Sequence, residues 1–104
     1  MNGVIVPCDK NASGTTNITG MTWVQRGNVV QVSLVNCDIP TTGTWSVVTG
    51  LPIPSSGNYV IKTFYQGASY IGALQYWDHQ WQYGKFAGSG GSGIYDYMIY
   101  VTDD

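Results

Sequence analysis

Apolar and polar residues alternate along most of this chain, in short runs separated by glycine, proline and asparagine. Val30, Val32 and Leu34 interleave with Gln31 and Ser33. A period of two places the first three on one face of a strand, toward a core, and the other two on the opposite face. Residues 21–25 and 29–35 flank Arg26-Gly27-Asn28, a short Gly-containing connection that predicts a hairpin. Residues 59–66 and 69–75 surround Gly67-Ala68 in the same way. A further strand is expected over 44–49, after a loop at 40–43. Residues 50–58 hold Pro52 and Pro54 and read as a stiff crossover, because proline fixes φ and lacks a donor. Its length suits a chain passing between sheets. Residues 76–83 read as another strand and Gly88 to Gly93 as a surface loop. The last strand, 94–101, sets Tyr95, Tyr97, Ile99 and Val101 on one face.

No stretch sustains a 3.6-residue apolar period with caps, so little or no helix is expected. About eight short strands remain, and that many must stack or close on themselves. The expected fold is therefore all-β: an antiparallel β-sandwich or barrel of about eight strands, with the long 50–58 connection favouring jelly-roll or Greek-key order.

Length and composition narrow the function classes. The 104 residues are expected to form a single domain over 1–104. Only 10% of residues are charged, so the polar surface must come from Thr, Ser, Asn, Gln, Gly and Tyr, as in many lectin-like modules. Net charge is −2 and the cations Lys10, Arg26, Lys62 and Lys85 are scattered, which argues against nucleic-acid binding. Apolar runs of a few residues fall far short of the ~20 needed for a spanning helix, so membrane insertion is not expected. Cys8 and Cys37 admit either one disulfide or two buried thiols. With a single histidine and no close Cys pair, no metal site and no cofactor is expected. The sequons at Asn11 and Asn17 are cheap triplets in a Thr/Ser-rich chain.

Binding chemistry is densest in Tyr76-Trp77-Asp78-His79-Gln80-Trp81-Gln82-Tyr83. In a continuous strand Trp77, His79, Trp81 and Tyr83 share one face, while Asp78, Gln80 and Gln82 share the other. Flat rings suit the C–H face of a pyranose, and carboxylate, amide and imidazole groups suit its hydroxyls. Tryptophan in a small β domain is as often core, and a bulge would send these side chains to different faces. Both fates stand open for Trp77 and Trp81. A catalytic role is not expected: the non-terminal acids Asp9, Asp38, Asp78 and Asp96 are isolated, glutamate is absent, and no nucleophile motif accompanies His79.

One resemblance adds to this reading. The residues Met21-Thr22-Trp23-Val24-Gln25-Arg26-Gly27-Asn28-Val29-Val30-Gln31-Val32, then Gly43-Thr44-Trp45, Thr49-Gly50-Leu51-Pro52-Ile53-Pro54 and the closing Tyr-rich strand resemble the C-terminal head domains of bacteriophage tail-fibre and receptor-binding proteins. It spans residues 21–101 through short, degenerate elements. The resemblance implies a sandwich or barrel related to jelly-roll or tumour-necrosis-factor-like folds. It further implies a homotrimer at a fibre tip on the virion, binding host cell-surface saccharide near a protomer boundary. Trp77, Asp78, His79, Trp81 and Arg26 match the residue types such heads use, by type and segment only. Residues 1–20 would then be a lead-in from a shaft or neck. Tyr95, Tyr97 and Tyr100 are candidates for the trimer interface. Two alternatives are a structural trimerisation or capping knob without a ligand, and a free-standing lectin-like adhesin.

Overall fold

The computed structural model describes residues 10–39, 45–55, 59–84 and 90–103. Over these the chain forms β1 (Asn11–Thr15), β2 (Met21–Arg26), β3 (Val29–Ile39), β4 (Trp45–Val48), β5 (Val60–Gln66), β6 (Ser69–Trp77), β7 (Gln80–Gly84) and β8 (Gly91–Val101). No helix occurs among the described residues. Two four-stranded sheets, ordered β1-β2-β3-β8 and β4-β7-β6-β5, are antiparallel throughout and stack as a sandwich. Their facing side chains form one core.

Both glycine-marked hairpins form where expected, at Gly27-Asn28 and Gly67-Ala68. Val30, Val32 and Leu34 are buried and Gln31 is exposed, as a strand of period two requires. Three expectations change. Residues 50–58 do not lead from one sheet to the other: β4 and β5 are opposite edges of the same sheet, so this connection closes a Greek key. It meets the first sheet at the end of β8, through the bridge between Pro54 and Thr102 and the bond from Ser55 N to the Val101 carbonyl. The glycine loop is shorter than expected, because Gly91, Ser92 and Gly93 already belong to β8. Residues 76–83 are not one strand, because the chain reverses at Asp78-His79. Cys8, residues 1–9 and the 40–43 loop lie outside the described residues.

β3 and β8 pair over eleven residues each with two compensating irregularities. One extra residue enters β3 between Leu34 and Cys37, and one enters β8 between Ile94 and Gly91. Asn36 and Gly93 take φ of 54° and 67° there, the left-handed conformation that bulges use. The β3 bulge leaves both Val35 and Asn36 exposed and returns Cys37 and Ile39 to the core, while the β8 insertion restores the pairing register.

The core holds its aromatic residues by their polar tips. The Pro52 carbonyl oxygen accepts from Trp81 Nε1 at 3.0 Å and from Tyr100 Oη at 2.5 Å, using both lone pairs. Trp81 lies in the second sheet and Tyr100 in the first, so the crossover is tied to both. Thr102 Oγ1 adds a bond to the Ile53 carbonyl at 2.6 Å. Tyr83 Oη donates to the Asp38 carbonyl at 2.9 Å. Burial pushes the Tyr83 and Tyr100 phenols well above their ordinary range, so both stay protonated donors. Cys37 is a buried free thiol whose pKa burial also raises. Across the sandwich edge Lys62 Nζ meets Asp96 Oδ1 at 3.5 Å, a partly exposed pair of small energetic weight.

Candidate functional site

The turn at Asp78-His79 decides where the aromatic segment goes. Trp77 pairs with Gln80 across it and Tyr76 with Trp81, so the two halves of the segment are adjacent strands. Both turn residues have positive φ, 53° and 63°, which a two-residue hairpin needs to match the twist of its strands. The residues expected to share a ligand face are consequently divided. Trp81 and Tyr83 are 3% and 2% exposed core residues. Asp78 and His79 stand exposed at the turn tip, and Trp77, 58% exposed, lies on the outer face of the second sheet. Arg26 belongs to the first sheet, where it donates to the Gln25 carbonyl at 3.0 Å. Of the six candidates, only Trp77 lines the larger of two hollows formed by the described residues.

That cleft, of about 490 Å³, lies on the outer face of β4-β7-β6-β5. Strand register builds it in three rows. Across the middle, Val47, Gln82, Gln75 and Ile61 follow one another from β4 to β5. Two residues along, Trp77 and the neighbouring Tyr59 form one wall, their rings edge to face with centroids 5.5 Å apart. Two residues the other way, Trp45 forms the opposite wall beside Gly84 and Ala73, small buried residues that leave room for an indole. Tyr70 completes this end. It is turned outward because one extra residue, Ile71, enters β6 between the pairs Phe64–Gly72 and Tyr65–Tyr70. Four residues of strand separate the Trp45 and Trp77 rows, roughly 13 Å at the usual rise.

The floor is a hydrogen-bond chain. Tyr59 Oη donates to Gln75 Oε1 at 2.9 Å, and Gln75 Nε2 donates to Gln82 Oε1 at 2.9 Å. These bonds fix the orientation of both amides and leave the Gln82 N–H donors unspent among the described residues. Rings at the two ends and oriented amides between them form an amphipathic surface: apolar faces for C–H groups, fixed polar groups for hydroxyls.

A second hollow, of about 290 Å³, is lined by Asn17, Asn36, Asp38, Ser46 and Tyr83 among others. Several of its polar groups are already engaged. The Asn17 amide donates to the Val47 carbonyl at 2.9 Å and accepts from Thr49 N at 2.9 Å, and Asp38 Oδ1 accepts from Gly93 N. The hollow reads as structural joinery.

Sequence reasoning passed over Trp45, Tyr59, Ile61, Tyr70, Gln75 and Gln82. The signal that finds them is the Asp78-His79 turn: once the chain reverses there, Gln75 and Gln82 fall opposite each other and on the face of Trp77. Comparison with family models, characterised proteins and solved structures finds no match to the chain. The sandwich and the cleft on its outer face are therefore read on their own chemistry.

Proposed function

We propose that this domain is a non-enzymatic carbohydrate-binding module, and that it serves as the receptor-binding head of a phage tail fibre or adhesion device recognising host cell-surface saccharide. The observation that carries the carbohydrate reading is the cleft between Trp45 and Trp77/Tyr59 with its Gln75–Gln82 floor. The phage setting rests on the sequence resemblance alone. In this reading Trp77 and Tyr59 stack on sugar rings, while His79 and Asp78 are rim residues. Trp77→Ala and Tyr59→Ala are each expected to weaken binding on a glycan array or in a cell-wall pull-down by about 2- to 10-fold, the worth of one good ring contact. Full binding by both variants would remove the cleft as the site.

Homotrimer formation is a second element of the proposal, favoured by a different surface. The outer face of the first sheet carries Tyr95, Tyr97, Ile99 and Val101 along β8, all more than half exposed, with Val29 directly opposite Val101. This is the face a trimerisation or capping knob would bury. Light scattering on the purified chain is expected to give three times the monomer mass, and a monomer at micromolar concentration would reject the trimer while leaving the glycan site standing.

A further inference from the structure

The carbohydrate reading can be sharpened to a ligand class, an inference that rests on that reading. Among the described residues the lining of the cleft contains no Asp, Glu, Lys, Arg or His. The charged residues of the described chain lie outside that lining, among them Arg26 on the other sheet and Lys62 paired with Asp96 at the sandwich edge. Two of them are chain neighbours of lining residues: Lys62, next to Ile61 but paired with Asp96, and Asp78, next to Trp77 at the turn tip, whose carboxylate would repel an anion. Among the described residues lining the cleft, a polymer bearing carboxylate or phosphate groups finds no cation to offset the loss of its hydration.

The polar floor points the same way through its direction. Tyr59 spends its proton on Gln75, so toward a ligand its oxygen can only accept. Gln82 has its carbonyl oxygen engaged by the Gln75 amide, so what it offers a ligand most fully is its pair of N–H donors. A ligand that satisfies both must donate at one point and accept at another. Sugar hydroxyls do both. An ionised carboxylate or phosphodiester group only accepts, so an anionic polymer could meet Tyr59 only through its own hydroxyls.

We infer that the outer-face cleft binds an uncharged saccharide, held by Trp77, Tyr59 and Trp45 through ring faces and by Gln82 as donor and Tyr59 as acceptor through hydroxyls.

The test is retention of the full chain on immobilised mannan, galactan and glucan, against polygalacturonate and poly(glycerol phphosphate) teichoic acid, at about 0.05 M and about 1 M salt. Two variants are compared after circular dichroism has shown them folded. Trp77→Ala removes a wall. Gln82→Glu keeps an oxygen that accepts from Gln75, replaces the two donors by a second oxygen and adds one negative charge, whose separate effect the two salt concentrations expose. The expected result is retention on a neutral polymer that changes less than about twofold with salt, and that falls roughly 3- to 10-fold in each variant, as loss of a single contact predicts. Neutral retention unaffected by Gln82→Glu would overturn the donor assignment. Retention confined to the anionic polymers, lost at high salt and lost in Trp77→Ala, would overturn the uncharged-ligand inference while sparing the carbohydrate site. No retention on any polymer, or retention that Trp77→Ala leaves intact, would overturn the carbohydrate reading itself.

Discussion

Trp81→Ala is expected to cost about 3–5 kcal/mol, the usual range for removing a buried aromatic, from a domain whose total stability is typically about 5–15 kcal/mol. Trp81 is 3% exposed, packs against the rings of Tyr76 and Tyr100, and donates to Pro52. Its loss opens a void between the sheets and weakens the anchorage of the crossover. The melting temperature should fall by at least roughly 12 °C on the scaling for small domains. Trp77→Ala is the control, since that ring is exposed and touches Tyr59. It should melt within a few degrees of the parent, at about 1 kcal/mol for one aromatic pair. Two tryptophans four residues apart thus separate cleanly, one by stability and the other by binding. Equal melting temperatures for the two variants would mean that Trp81 is not core.

Gly20→Ala is the second substitution with a large expected effect, on the order of 2–5 kcal/mol. Gly20 precedes β2 with φ of 89°, a conformation that costs an L-residue about 1–2 kcal/mol. An added Cβ would also overlap the Val35 carbonyl oxygen and press on Cys37 Sγ at 3.1 Å. Crowding of that kind adds about 1–3 kcal/mol. Relief by backbone shift would break the bond from Val35 N to the Gly20 carbonyl, 2.9 Å, which holds the β1–β2 loop to β3. Urea unfolding of the variant should show a lower midpoint at an unchanged slope. A midpoint equal to the parent's would show that the loop accommodates the methyl group freely.

The strand pattern was legible where alternation and glycine turns agreed. Val30, Val32 and Leu34 declared their face, and Gly27 and Gly67 marked their hairpins. β1 was missed because Asn11–Thr15 carries small, mostly polar residues: an edge strand packs too little to imprint an apolar period. The candidate site was misassembled for a related reason. Asp78 and His79 turn the chain without the glycine that usually advertises a two-residue turn, so a period of two was carried straight across a reversal. What settles the matter is burial. Trp81 and Tyr83 can enter the core from β7 and reach the Pro52 and Asp38 carbonyls only if the chain has turned back after Trp77. The Gln75–Gln82 pair was invisible for want of that turn, since two glutamines seven residues apart carry no signal until they become cross-strand neighbours.

The apolar stripe of β8 and the aromatic cleft occupy outer faces of different sheets, and so point away from each other. Copies joined through the stripe would therefore keep every cleft open and directed outward. Against a surface that repeats the same glycan, each later encounter becomes intramolecular, and a contact too weak to hold one domain can hold the assembly, with a gain on the order of 10²-fold or more when spacing permits. Adhesion would then be set less by how tightly one cleft grips than by how densely the surface repeats what it grips.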